Sequence, residues 1–335
     1  MSGKKEVWKI QNELEAMSNF LDYISISNFK SIRSCEIRDF KRINLFIGRP
    51  NVGKSNIIEA LSLFTIPYLR ENSSKRITSL VRLENESELF YNGDIDKGAV
   101  IKNNVGRCDI GYNPKNGLRI DLDFPANPYH YEVDDKLNIK GGRKSESFNS
   151  PIKRYSFRTD VKFKNSHARY LIPPFGFNLL NILENYDDLK NQVISLFKEY
   201  GLKIAFDKGS RTIRVIQSED KSGLFLIPYN SIADTLQRII FYKAAIASND
   251  DSILLFEEPE AHSFPPYMTH LTQEMIYKKD NQFFIATHSP FILNDLLENA
   301  RAELSVFVVH YENYETKVKQ LSSDELHNVF QNGVD

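Results

Sequence analysis

Residues 23–29 (YISISNF) alternate apolar and polar positions with the period of a half-buried strand, and residues 35–39 can pair with them. Residues 43–47 (INLFI) form a short, largely apolar run. After a glycine-containing loop, residues 55–64 (SNIIEALSLF) place Ile57, Ile58, Leu61 and Phe64 at helical spacing, so the order is strand, loop, helix. From about 65 to 223 the texture changes: short candidate strands such as 118–124 and 211–216 are separated by polar, Asn-rich loops. One amphipathic helix is predicted there over 178–200, with Leu179, Ile182, Leu183, Leu189, Val193, Ile194 and Phe197 on one face. Beyond Tyr229 strands and helices alternate again, as a helix over 232–247, an apolar strand over 252–256, a helix after Pro266 and a strand over 282–286. The expected fold class is therefore α/β. Residues 1–64 and 225–335 are expected to complete one discontinuous mixed-sheet core, with 65–224 as an inserted α+β lobe. No heptads persist beyond the lobe helix, which excludes a long coiled-coil arm, and no internal repeat is evident.

Composition narrows the setting. A chain of 335 residues with 41% hydrophobic content can fill a core without staples. Two cysteines at distant positions, Cys35 and Cys108, suggest neither a disulfide framework nor a metal site, and no apolar run approaches a membrane span. The first 20 residues are charged and polar, which favours a short helix over a signal peptide, so a cytoplasmic protein is expected. A net charge of −1 gives no field that attracts polyanions, so contact with nucleic acid would need a local patch. The candidate is 136–169, where ten basic residues (Lys136, Lys140, Arg143, Lys144, Lys153, Arg154, Arg158, Lys162, Lys164, Arg169) face two acids and interleave with Phe148, Tyr155, Phe157 and Phe163. Such a stretch can hold a phosphate backbone, or can be a solvated hairpin around Gly141-Gly142.

Gly48-Arg49-Pro50-Asn51-Val52-Gly53-Lys54-Ser55 has the Walker A spacing G-x-x-x-x-G-K-[ST], in the strand–loop–helix context that the motif needs. Its backbone N–H groups can turn inward around phosphate oxygens, Lys54 should reach the β and γ phosphates of ATP, and Ser55 should offer its hydroxyl to Mg²⁺. The apolar run ending in Glu257 and Glu258 is what a Walker B strand requires. Glu257 is placed for the metal side and Glu258 to polarise the attacking water, since one carboxylate cannot do both.

Glu258-Pro259-Glu260-Ala261-His262 and Thr287-His288-Ser289-Pro290, each after an apolar strand, resemble the ABC-type ATPases of the OLD-like group. Asn56-Ile57-Ile58-Glu59-Ala60-Leu61 and Asn28-Phe29-Lys30-Ser31 are further points of likeness, so that the resemblance covers about 22–64 and 225–298. It implies an ATP-binding-cassette fold, an ATP- and Mg²⁺-dependent enzyme, two copies sandwiching ATP, and a γ-phosphate contact from His288. Asn56 would join residues 48–55 in the nucleotide site. A signature serine acting across the dimer has its best match in Ser231-Ile232-Ala233-Asp234, which lacks the usual glycines; Ser231 could equally cap the following helix. Aspartate is usual at the position of Glu257, and no glutamine between Lys54 and Lys190 can serve as the metal sensor, so slow turnover is expected. About 47 residues follow His288, too few for the nuclease domain that often follows in that group. The resulting expectation is a homodimer or higher homo-oligomer that controls a separate effector in anti-phage defence, without a membrane. A DNA-clamping ATPase of the RecF-like kind and a non-hydrolysing scaffold are the alternatives.

Overall fold

The largely apolar runs become the centre of a parallel sheet that is buried on both faces. The computed structural model describes residues 20–332 except 73, 116, 126, 143–149, 208, 221–222 and 264. The helix expected within the first 20 residues falls almost entirely outside them. Chain order begins β1 (Tyr23–Phe29), β2 (Ile32–Arg38), β3 (Ile43–Ile47) and α1 (Lys54–Ser62), the last continuing as a 3-10 stretch, Leu63–Glu71. Then come β4 (Ala99–Asn103), β5 (Arg107–Asn113), β6 (Gly117–Phe124), β7 (Asn127–Val133), β8 (Ile139–Gly141) and β9 (Ile152–Tyr155). A smaller layer holds α2 (Leu179–Asn185), α3 (Asp187–Glu199), β10 (Lys203–Asp207), β11 (Thr212–Asp220) and β12 (Gly223–Pro228). The chain closes with α4 (Asp234–Ala247), β13 (Ile253–Glu257), α5 (Pro265–Tyr277), β14 (Gln282–Ala286), α6 (Pro290–Asn299), β15 (Leu304–Glu312), β16 (Glu315–Gln320) and α7 (Ser323–Asn332).

The central sheet has six strands in the order β16-β15-β3-β14-β13-β9, and every pair but β15–β16 is parallel. Alternation splits each strand between two cores. Phe46, Ile253, Leu255, Phe284 and Ala286 pack with α1 and a seven-stranded antiparallel sheet, β2-β1-β4-β5-β6-β7-β8. Ile43, Leu45, Leu254, Phe256, Phe283 and Ile285 pack against α2 to α6. Burial on both faces explains why these strands read as mostly apolar runs and not as an alternation. The four apolar residues of β13 are fully buried, at most roughly 6–12 kcal/mol of transfer free energy, which anchors the acids at its end. Because β3, β13 and β14 run in parallel, their carboxyl ends open on one edge.

Residues 65–224 are distributed over three places: β4 to β8 extend the β1–β2 sheet, β9 is the edge strand of the central sheet, and α2 to β12 lie on the helical side. The helix expected over 178–200 is two helices, interrupted at Tyr186 (φ −113, ψ 89), whose hydroxyl donates to the Arg169 carbonyl at 2.7 Å. Asp187 and Asp188 then start the second helix from its first turn, where acids are favoured.

The basic stretch 136–169 is not a continuous surface stripe. Arg143 and Lys144 lie outside the described residues, and Lys153 and Arg154 are buried in β9 at 6% exposure each. Pairing with Leu254 and Leu255 turns these two side chains into opposite covered faces of the sheet. Lys153 donates to Asn249 Oδ1 at 2.6 Å and to Ser252 Oγ at 3.1 Å, and its Nζ lies 4.4 Å from the centre of the Tyr170 ring. Burial pulls its pKa from 10.5 down to about 8, with Asp250 opposing. Since the unfolded chain holds this proton more tightly than the folded one, the cost is fully present below pH 8 and vanishes as pH rises towards 10.5. Wild type should therefore gain stability relative to Lys153→Met between pH 8 and 10, by up to about 1.4 kcal/mol per pH unit, read from urea midpoints. A pH-independent difference would contradict this.

Candidate nucleotide-binding site

The loop after β3 turns through Gly48 (φ 145), Asn51 (φ 61) and Gly53 (φ 100). At two of these positions contacts demand glycine. A Cβ on Gly48 would lie 2.2 Å from the Val309 carbonyl oxygen, and one on Gly53 would lie 2.1 Å from Thr316 Oγ1. The β15–β16 hairpin thus presses on the back of the loop. Thr316 Oγ1 donates to the Val52 carbonyl at 2.9 Å, so Ser31 Oγ, 2.6 Å away, must donate to Thr316 while accepting from Asn56 Nδ2 at 2.6 Å. Asn56 therefore braces the loop from behind.

Gly53 occupies the N-cap of α1 without a side-chain cap, which leaves the first-turn N–H groups and the positive helix end for an anion. Lys54, 4% exposed, folds over the loop and donates from Nζ to the carbonyls of Gly48 (2.9 Å) and Arg49 (2.8 Å). Burial lowers its pKa, opposed by Glu258, Glu257 and Glu260. Arg49, Pro50 and Asn51 form the exposed rim, whereas Val52 and Ser55 are half-buried.

The two acids at the end of β13 have different surroundings. Glu257, its side chain 14% exposed, accepts from Arg82 on one oxygen and from Arg154 Nη2 at 2.6 Å on the other. Glu258 adopts a left-handed backbone (φ 42), its N–H donates to the Ala286 carbonyl at 2.8 Å, and its half-exposed carboxylate lies 3.6 Å from His288 Nε2. Glu260 Oε1 accepts from Thr287 Oγ1 (2.5 Å) and the His288 N–H (3.0 Å), so it ties the ends of β13 and β14 together and sets His288 facing Glu258. Of the paired acids, Glu258 is thus the one open to an incoming molecule.

Ser231 lies exposed in a short 3-10 turn, Tyr229–Ser231. It does not cap α4: the N-cap is Ala233, with no side-chain bond. Asp234 accepts from Arg238 Nε at 3.0 Å, and Thr235 Oγ1 donates to the His262 carbonyl at 3.0 Å, linking α4 to the loop after Glu258.

Sequence reasoning missed Arg82, the role of Arg154, and Thr316, and it noticed Ser31 only as part of a likeness. Arg154 was hidden in a run of basic residues, and Arg82 carries no local signal. Lys30, noticed only as part of a likeness, donates to Glu59 Oε2 at 2.5 Å, and Glu59, 1% exposed at its side chain, also accepts from Arg82 Nε at 3.1 Å. The glycine cradle, the lysine and the open helix end fit nucleotide phosphates. The hydroxyl and carboxylate oxygens of Ser55 and Glu257 are the hard donors that Mg²⁺ prefers, although Glu257 starts out engaged by two guanidiniums.

A family model described as "AAA domain, putative AbiEii toxin, Type IV TA system" matches residues 43–294. No curated protein matches the chain. Among solved structures, a Smc head bound to the C-winged helix domain of ScpA is 12% identical, with a TM-score of 0.51, covering 92% of this chain and 99% of that one. A Smc head domain with an extended coiled coil, bound to the C-terminal domain of ScpA and derived from Pyrococcus furiosus, is also 12% identical, with a TM-score of 0.52 and coverage of 93% and 98%. At this identity the likeness is one of fold, that of an ABC-type P-loop ATPase. Among the described residues no helix is long and apolar enough to cross a membrane.

Proposed function

Since the chain belongs to the AAA domain family matched by that model, we propose that it binds ATP with Mg²⁺ at residues 48–56, hydrolyses it slowly, and dimerises on it as a switch for a separate effector. The observation that carries this reading is the convergence of Lys54, Glu258 and His288 at one edge of the central sheet, beside an uncapped helix N-terminus. Lys54 exchanges its two loop carbonyls for β- and γ-phosphate oxygens. Ser55 and Glu257 would hold Mg²⁺, which would supply charge neutralisation at the phosphates. Glu258 accepts a proton from the attacking water as its oxygen bonds to the γ-phosphorus and the bond to ADP breaks, and His288 contacts the γ-phosphate region.

Exposed Ser231 and the open first turn of α4 support a role across the dimer, towards the other copy's γ-phosphate. The residues around Glu258 and His288 favour the OLD-like group within this fold. The family's description names a toxin of a type IV toxin–antitoxin system, and both Smc heads are bound to a domain of ScpA. Both facts are compatible with an ATPase that serves a second protein, here in bacterial defence. The burial of Lys153 and Arg154 weakens the DNA-clamping alternative, which drew on the same basic stretch.

Light scattering tests the switch. With saturating ATP and Mg²⁺ the particle mass should double, whereas Ser231→Arg, which puts bulk and charge at the proposed contact, should remain at the nucleotide-free mass while still binding ATP, more weakly by the share that dimerisation contributes. An ATP-independent mass in the wild type removes the dimerisation reading.

A further inference from the structure

Beyond Glu257, on the side away from β3, a cleft of about 310 Å³ opens at the carboxyl ends of β9 and β13. Arg82, Arg154, Arg158, Arg238, Glu257 and Glu258 line it. Arg82 and Arg154 neutralise Glu257, and Arg238 pairs with Asp234 while lying 4.9 Å over the Phe157 ring. Arg158 is exposed and no carboxylate among the described residues pairs with it, yet it is steadied by the Phe175 ring at 3.9 Å. Arg154 leaves a second donor unused: its side chain is 7% exposed and its buried Nε–H has no acceptor. Native proteins rarely leave such a group unpaired, and a bound ion or water is the usual explanation.

With Lys30 and Glu59, which pair with each other while Glu59 also pairs with Arg82, four guanidiniums and one ammonium against Glu59, Glu257, Glu258 and Asp234 leave a surplus of one positive charge around a concave site at the strand ends, where α/β sheets take ligands. Fork-shaped guanidinium donors match the oxygens of phosphate and carboxylate anions, and several forks converging from different elements can each take an edge of a phosphate. We propose that this cleft is a binding site for inorganic phosphate, receiving the phosphate cleaved from ATP on the other side of Glu258. Phosphate binding stands on the cleft itself; its role as the product site rests on the hydrolytic reading above.

Calorimetric titration with inorganic phosphate, without nucleotide, tests the site in wild type, Arg158→Ala, Arg238→Gln and Lys54→Ala. Wild type should bind, both arginine variants should bind about tenfold more weakly or worse, and Lys54→Ala should bind as wild type does. No binding, or binding lost with Lys54 and indifferent to Arg158 and Arg238, overturns the site. In turnover assays phosphate should inhibit non-competetively against ATP, and competitive inhibition would overturn the product role. Arginine-dependent phosphate binding by a protein that never turns over ATP would uphold the cleft and remove the hydrolytic reading instead.

Discussion

Lys54→Ala should lose ATP binding. Its ammonium is the positive side chain folded over the loop, 2.8–2.9 Å from two carbonyls that phosphate oxygens would replace as acceptors. Charge-assisted contacts are worth about 1.5–3 kcal/mol each, so losing those to the β and γ phosphates should weaken binding by roughly 10²–10⁴-fold. The loop itself should survive, because Thr316, Ser31 and Asn56 hold it from behind and none of them depends on Lys54. Calorimetry with ATP and Mg²⁺ measures the loss, and circular dichroism checks the fold. Unchanged affinity in a folded variant would remove residues 48–55 as the nucleotide site.

Glu258→Gln should keep ATP binding and lose hydrolysis by about 10²–10⁴-fold, the usual worth of a general base. Glutamine preserves the size and the side chain's hydrogen bonding but cannot take the proton. With cleavage blocked, the ATP-bound assembly should persist, so the variant with ATP and Mg²⁺ should scatter as a larger particle than without nucleotide. Glu257→Gln should behave differently despite being adjacent. It removes the carboxylate charge paired with buried Arg154 and one of the two paired with Arg82, so it should cost about 3 kcal/mol of stability besides weakening Mg²⁺-dependent affinity. Equal stability in the two variants would mean that the arginine pairs do not hold Glu257 as described. Wild-type turnover in Glu258→Gln would move the base elsewhere; Glu260 is already engaged by Thr287 and the His288 N–H, which leaves His288 as the next candidate.

The parts of this protein that local chemistry specifies could be read along the chain. The runs 43–47, 252–256 and 282–286 announce doubly buried strands because apolar residues fill four of the five positions in each without alternating, and the P-loop is legible because its glycines, lysine and serine act within eight consecutive residues. The adjacent acids, Glu257 and Glu258, were readable as a pair at a strand end. What each of them touches was not. Arg82 reaches Glu257 across 175 positions, and Thr316 braces the P-loop from 264 positions beyond Val52. Lys153 and Arg154 looked like surface charge because their neighbours are basic and polar; pairing with β13, about 100 residues later, puts them under two cores. Periodicity likewise ran through Tyr186 without a break, since the apolar face continues on both sides of the interruption. Turn chemistry and apolar periodicity are encoded over a few neighbouring residues, so the sequence alone determined the strands, the phosphate loop and the acids. Burial of a charge and the choice of its partner depend on which distant strands cover it, and that was decided only when the sheet closed.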